Sequence, residues 1–398
     1  MEPSCTDQLL ASLSNISASS FANEAERIRV RDGLFETLRR VQSPWDIVWD
    51  HNWVNLATNA SVKTLIDAGV FTKWAEHGHT PQTSDQLAEL VGAPVMVIRR
   101  MLRQISGQHL VTETAEDTFA PTAWARALAE DQALPSTYGT FYSELNVPMF
   151  VGLPSFLRQR AYENPTDVAD GNWQFCTGTP RGFFDDVMAR PDLAKDFHDA
   201  MRCHSRYNLA PWPDMYPTDT IVEAGRANPA RKLVVDIGGS RGHDLEKFHA
   251  RHPDIPDGSL ILQDLPEAVQ DLQLQLPKAV QVQGYDFFTE QPVKGARAYF
   301  MHNVLHDWAD DKAMVILETV SRAMERGFSR LLIHESLVSA VKPLARVTTS
   351  DITMMACVSA QERDEDEWRA LVERAGLRVM KIWRRAQSVE SVIEAEVA

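Results

Sequence analysis

The sequence predicts an α/β protein: a doubly wound, mostly parallel, Rossmann-like sheet in the C-terminal part, preceded by an α-helical region that carries a winged helix. Three observations carry that expectation. From residue 231 onward the apolar, strand-like runs RKLVVDIGG, SLILQDLP, VQVQGYDFF, ARAYFMHNVL and SRLLIHESL alternate with helical segments such as HDLEKFHARHP and DDKAMVILETVSRAMERG. Alternation of this kind implies a sheet covered by helices on both faces. The first run turns through Gly238-Gly239-Ser240-Arg241-Gly242 into a helix, the layout of a nucleotide-binding first crossover. Upstream, the stretch from Thr83 to Thr122 reads helix, turn, helix and two short strands around an acidic turn, a winged-helix order.

The elements follow in chain order. Residues 1–42 are a polar Ser/Asn-rich lead and an amphipathic helix, FANEAERIRVRDGLFETLRRV, whose Ile28, Leu34, Phe35, Leu38 and Val41 keep helical spacing. Such a face needs something to cover it, and a second copy of the chain is the expected cover, making a homodimer. Residues 53–78 are helical, with Gly69 as a stop. Thr83 or Ser84 caps the next helix, Gly92 ends it, and Pro94 opens another that runs to about Ser106. Arg99, Arg100 and Arg103 on that helix would suit DNA phosphates, but Glu113, Glu116 and Asp117 on the wing would repel them. Residues 131–230, rich in aromatics and proline, read as helical around 141–162 and 183–206 and as the wall of a pocket. The tail EDEWRALVERAGLRVMKIWRR adds a helix stopped at Gly376 and one more strand. The expected divisions are 1–130, 131–230 and 231–398.

Composition removes several classes. Against 55 Asp+Glu stand 40 Lys+Arg, a net charge of −15, which argues against an exposed nucleic-acid or anionic-membrane surface. No run approaches the ~20 apolar residues of a membrane span. The first twenty residues lack the basic start and apolar core of a secretory signal. Cys5, Cys176, Cys203 and Cys357 form no CxxC pair, which excludes a disulfide scaffold and a zinc ribbon. A cytoplasmic protein with a small-molecule ligand, no nucleic acid, no membrane and no metal is the expectation.

Chemistry concentrates at the carboxyl edge of the expected sheet. Glycines at 238, 239 and 242 let a ligand approach backbone N–H groups that a Cβ would block. Asp264 ends the next strand, where a carboxylate can hold ribose hydroxyls. Asp286 is expected to end the following strand at the same edge and could receive an adenine amine, with Phe287 or Phe288 against the ring. Asp236, two residues before the first glycine, disfavours a pyrophosphate and with it an NAD-dependent oxidoreductase. It suits a cationic, amino-acid-bearing nucleoside such as S-adenosylmethionine. In Met301-His302-Asn303-Val304-Leu305-His306-Asp307-Trp308, His306 follows a buried strand, where an imidazole suits removal of a proton from a phenol or enol. Glu335 in LLIHESL, expected to end the next strand, and Glu362 in the polar loop SAQERDEDEW are acids that could orient the ring, and either is open to that role.

Taken together, VVDIGGSRGHDL, LILQDLP, GYDFFTEQPVKGARAYFMHNVLHDWADD, DITMMACVSAQERDEDEW and AGLRVMKIW resemble the caffeic-acid-type O-methyltransferases of plants and fungi, most closely the fungal secondary-metabolite branch. The resemblance covers residues 231–385 strongly and the winged helix loosely, where it implies dimerisation rather than DNA binding. It implies S-adenosylmethionine at Gly238–Gly242, Asp264 on the ribose, Asp286 and Phe287 at the adenine, and His306 as the base flanked by Glu335 and Glu362. Ser205 and Met201 in FHDAMRCHSRYN are implied at cofactor and acceptor, and Asp307 at the acceptor. His302 stands where relatives carry Arg or Lys at the cofactor, and Ala360 where glycine is common, which would shift the loop around Glu362. The implied reaction is an in-line displacement without a metal, the deprotonated acceptor oxygen taking the sulfonium methyl. Two other functions fit the same pattern less well: a pericyclase or dehydratase that binds S-adenosylmethionine without transferring its methyl, and a winged-helix DNA-binding regulator.

Overall fold

Helix boundaries follow from capping. In the computed structural model, which describes residues 4–206, 211–270, 272–385 and 388–398, Ser4, Asn23 and Ser43 cap the helices Cys5–Ser14, Glu24–Val41 and Pro44–Trp49 by accepting from the amides of Asp7, Glu26 and Asp46. These helices belong to one unit, residues 1–56 with 385–388; residues 57–384 with 389–398 form the other. In the first unit Ile28 is buried, whereas Leu34, Phe35, Leu38 and Val41 of the same predicted apolar face are exposed. Trp45, Trp49 and Trp53, also exposed, form a ladder in which the last two rings stack at 4.8 Å.

The second unit opens with the winged helix. Strand β1 (Gln82–Thr83) leads into helix Ser84–Val91, helix Val95–Gly107 follows, and β2 (Val111–Ala115) and β3 (Thr118–Pro121) form the wing, in the antiparallel order β1-β3-β2. Thr83 caps the first helix and Gly92 ends it at φ +65°. Arg99 lies against the wing: its Nε is 3.0 Å from Asp117 and its Nη2 donates to Asp85 at 2.7 Å. That arginine is spent inside the domain rather than offered to phosphates.

The remaining strands are β4 (Val234–Ile237), β5 (Leu260–Asp264), β6 (Val280–Gly284), β7 (Ala298–His302), β8 (Arg330–Val338), β9 (Arg363–Asp364), β10 (Leu377–Trp383) and β11 (Glu390–Val397). They form one sheet in the order β10-β11-β8-β7-β4-β5-β6, with β9 paired to β8. All pairs from β6 to β8 are parallel, and β11 is antiparallel to both neighbours. Alternate residues feed two cores. Val235, Met301 and Ile333 pack with Ile316, Leu317 and Trp368 on one face, while Val234, Phe300 and Leu332 pack with Trp212 and Phe248 on the other. The strand order reverses at β4, between β5 and β7, so ligands belong at the carboxyl ends of these strands.

Three expectations change. The tail holds two strands, not one, because Glu390–Val397 inserts between β8 and β10. Glu335 lies inside β8, which runs on to Val338 by pairing with β9. Asp286 lies two residues beyond the end of β6, in a turn. The divisions expected near residues 130 and 230 fall within the second unit, after helix Ala123–Glu130 and between helix Asp219–Ala227 and β4. No helix among the described residues is long and apolar enough to cross a membrane.

The segment between wing and sheet packs Leu145, Met149, Phe156 and Trp173 against Ala356, Cys357 and Val358 of helix Ala345–Val358. One buried side chain ties these parts together: Asn172 Nδ2 donates to the carbonyls of Met149 at 3.0 Å and Ala356 at 2.9 Å. Replacing Asn172 by Leu removes both bonds and leaves the Ala356 carbonyl, in the last turn of its helix, unpaired, at about 1–3 kcal/mol. Urea unfolding should therefore show the Asn172→Leu protein destabilised by about 1–3 kcal/mol; a midpoint equal to wild type would show that this carbonyl finds another partner.

Candidate active site

The site is built on the turn after β7. Asn303, in the left-handed region at φ +51°, swings the chain out of the strand into a single turn, Leu305–Asp307. The amides of Val304 and Leu305 both donate to Glu335 Oε1 of the neighbouring strand, at 3.0 and 2.9 Å. From the other side, the fully buried Arg363 donates through Nη1 to the Leu305 carbonyl at 3.0 Å and through Nη2 to the Trp308 carbonyl at 2.7 Å. Its charge is met by Asp310 at 2.9 Å. The turn is thus clamped on both its amide and carbonyl sides.

Held there, His306 meets three carboxylates. Its Nδ1 is 2.9 Å from Glu362 Oε1 and 3.7 Å from Glu335 Oε2, and its Nε2 is 3.6 Å from Asp307 Oδ1. Glu362 Oε1 also accepts from Ser350 Oγ at 2.6 Å, and the Glu362 amide donates to Asp351 at 3.0 Å. Burial works against the His306 cation, but Glu335, Asp307 and Glu362 outweigh it and push its pKa up to about 10. Burial raises Asp307 to about 6 and Glu335 to about 7, against the pull of His306 on both. One imidazolium among crowded carboxylates is the state at neutral pH. Glu362 reaches the ring despite Ala360, so the loop is not displaced from His306.

A second group of predicted residues surrounds the glycine turn. Gly238 and Gly242 adopt φ of +72° and +82°. A Cβ on Gly239 would meet Asp236 Oδ2 and Leu262 Cδ1, both at 2.5 Å, so a side chain here would force Asp236 and Leu262 to move. Asp264 accepts from the Ser240 and Leu265 amides, each at 2.8 Å, which fixes its carboxylate across the turn. Asp236 is buried beneath, and neither of its oxygens has a hydrogen-bond partner among the described residues. Burial first, and Asp244 second, push its pKa well above the usual carboxylate range. An orphaned buried acid under a bare backbone turn fits a ligand that brings its own cation, as an amino-acid-bearing adenosyl cofactor does.

The other predicted residues are placed unevenly. Asp286 is exposed and caps a turn, accepting from the Phe288 amide at 2.9 Å. Phe287 packs edge-on to Trp308 at 5.9 Å, which puts it beside the His306 turn. Ser205 accepts from Lys247, which in turn pairs with Asp244 at 3.2 Å on the helix that follows the glycine turn. Met201 lies one turn before Ser205 on helix Pro191–Arg206, with its side chain partly exposed. Tyr207 and Asn208 of the same motif lie outside the described residues. His302 is turned toward Asp244 at 2.6 Å and Glu390 at 3.2 Å. Burial lowers its pKa, but those two carboxylates prevail and hold it well above the ordinary histidine value.

Sequence reasoning missed Arg363, Ser350, His334 and Glu390. The Glu-Arg pair in SAQERDEDEW offered a signal for Arg363, since an arginine beside a buried acid seldom faces water. No local pattern pointed to Ser350 or Glu390, which are brought in by the helix Ala345–Val358 and by the unexpected β11.

Comparison with known proteins places the chain in a family. Residues 178–378 match the model of the O-methyltransferase domain family. O-methyltransferase mfmE of Annulohypoxylon moriforme is 37% identical over 392 residues, covering 98% of this chain and 95% of that protein. Solved structures of LepI in complex with SAM and of a pericyclic reaction enzyme each superpose with a TM-score of 0.88 at 25% identity, covering 99% of both chains. With half the chain matched by the family model and nearly all of it aligned to an O-methyltransferase, this protein belongs to the O-methyltransferase family.

Proposed function

We propose that the protein methylates a hydroxyl of a phenolic or enolic secondary metabolite, with His306 handling the proton of that hydroxyl. The observation that carries this reading is the His306 imidazole, fixed by Glu362 on one nitrogen and facing Asp307 with the other, in a chain of this family. S-adenosylmethionine is the methyl donor and, when bound, supplies an electrophilic methyl group on a sulfonium. Gly238, Gly239 and Gly242 give that cofactor its backbone, Asp264 takes its ribose hydroxyls, Asp236 balances its cationic end, and Asp286 and Phe287 take its adenine. Ser205 and His302 border it, while Met201 and Asp307 face the acceptor. In this reading residues 231–398 carry the chemistry, residues 131–230 wall the acceptor pocket, and residues 1–130 make a dimer.

The proton count decides how His306 works. An imidazolium with an acceptor oxyanion has the same total protonation as a neutral imidazole with an acceptor hydroxyl. With a pKa near 10, the ring in the resting enzyme carries the proton at pH 7 and receives the acceptor as its anion. Acidic acceptors such as phenols and enols suit that arrangement, whereas an alcohol would not ionise.

A second reading rests on the 25% identity to a pericyclic reaction enzyme along 99% of both chains. An imidazolium beside a carboxylate can also protonate a leaving hydroxyl. Mass spectrometry separates the two: methyl transfer gives a product heavier by one methylene, whereas dehydration or ring closure leaves the cofactor unchanged.

Four outcomes test the proposal. Asp264→Ala should weaken S-adenosylhomocysteine by about 1.5–3 kcal/mol, the scale of charge-assisted hydrogen bonds; unchanged affinity in calorimetry would remove the ribose assignment. His306→Ala should lower turnover ~10²–10⁴-fold with cofactor affinity nearly unchanged. In the wild type, kcat/KM should rise with pH through the acceptor's own pKa and fall as the imidazolium is lost near pH 10. Neighbouring carboxylates raise the ring's pKa, so Glu362→Gln should move that alkaline limb to lower pH. An alkaline limb that stays put, or a wild-type rate in His306→Ala with a weakly acidic phenol, would place the proton elsewhere. Finally, the exposed apolar face of Leu34, Phe35, Leu38 and Val41 should be covered by a second copy. Sedimentation at micromolar concentration should give a dimer for the full chain and a monomer for Leu38→Asp; a wild-type monomer would refute this.

A further inference from the structure

We propose that His302, His334 and Glu390 form a binding site for one divalent transition-metal ion, best suited to zinc, at the junction of β7, β8 and β11. The sheet itself brings the three together. His302 lies opposite His334 on adjacent parallel strands, and His334 lies opposite Val392, two residues from Glu390 on β11. Alternation along a strand then puts all three side chains on one face.

Their atoms have metal-site spacing. His302 Nε2 and His334 Nε2 lie 3.2 and 3.3 Å from the same oxygen, Glu390 Oε2. All three donor atoms fall within 4.8 Å of one another. Tetrahedral zinc with bonds of about 2.0–2.1 Å sets its neighbouring donors about 3.3–3.4 Å apart. Two imidazoles and a carboxylate are donors that zinc accepts.

An independent observation points the same way. His334 is buried, and neither of its ring nitrogens makes a hydrogen bond among the described residues. It lies against the His302 ring, with centroids 4.2 Å apart, an arrangement that wastes two polar atoms unless something accepts a lone pair. A metal-free ion pair accounts for His302, which has carboxylates on both nitrogens, but leaves His334 unexplained. Asp244 Oδ2, 2.6 Å from His302 Nδ1, already stands where the outer carboxylate of a carboxylate–histidine–metal group stands, leaving Nε2 as the ligating atom. His204 Nε2, 3.3 Å from Glu390 Oε1, comes from a half-exposed side chain and offers a fourth donor or the path of entry.

The test uses full-length, tag-free protein, first as purified and then after chelation, titrated with zinc chloride alone. Mass spectrometry should find about one zinc per chain. Calorimetry on the chelated protein should give one sub-micromolar site, and the melting temperature should rise on zinc addition. His334→Ala and Glu390→Gln should each weaken zinc at least ~100-fold. Cobalt should give the absorption of a tetrahedral site in wild type, a readout that does not depend on either variant folding. Protein free of metal as purified, with a melting temperature unmoved by zinc, would overturn the site. So would zinc that survives both substitutions but is lost in His306→Ala, since His306, Glu335 and Glu362 are the other trio with suitable spacing.

Discussion

The carboxylate of Glu335 is the interaction on which the site depends. It is buried inside a strand, and Oε1 takes two backbone amides from the turn after the next strand over. Those amides leave the β ladder when Asn303 enters the left-handed region, and without an acceptor they would be orphaned in the core. Arg363 answers the same need for the carbonyls of Leu305 and Trp308. A tight, irregular turn can therefore persist at the edge of a parallel sheet, and His306 projects from it in one orientation. Glu335 thus acts mainly through the backbone, and Glu362 is the acid in direct contact with the ring. Of these two glutamates, Glu335 gives Oε1 to the amides while Glu362 contacts the ring at 2.9 Å.

Buried negative charge is the second constraint. Asp236, Glu335 and Glu362 each retain at least one buried carboxylate oxygen with no hydrogen bond among the described residues. Each such group raises the energy of the ligand-free protein, and carboxylates this close compete for protons. The crowding sits at the glycine turn and around His306, the two places that the proposed function assigns to the cofactor and the acceptor.

The sequence was most legible where a local rule acts. The glycine turn, the caps at Thr83 and Gly92, and the alternating runs from residue 231 each express a backbone preference that needs no distant partner. Asp264 was equally legible, because the end of the second strand is fixed by the crossover itself. What stayed hidden needed tertiary assembly. Strand β11, whose ESVIEAEV carries no strong alternation of its own, brings Glu390 to histidines 56 and 88 residues away in sequence. Likewise Arg363 takes its meaning from a turn that precedes it by more than fifty residues. Long-range polar contacts carry no periodicity, so a pattern reading passes over them.

Under the proposed function, the acceptor wall and the proton chemistry share one support. Helix Ala345–Val358 carries Ser350, which bonds Glu362, and on its other side it packs against the segment that holds Met149 and Trp173. Ser359 ends that helix in the left-handed region at φ +55°, three residues before Glu362. A change in the wall that moved this helix by even half an ångström would alter the 2.6 Å Ser350–Glu362 contact and, through it, the acid that sets the charge of His306. Substitutions that reshape the pocket are thus not independent of the reaction's pH dependence. The Asn172 bond to Ala356 fixes this helix to the segment that carries Met149 and Trp173, so the two move as one.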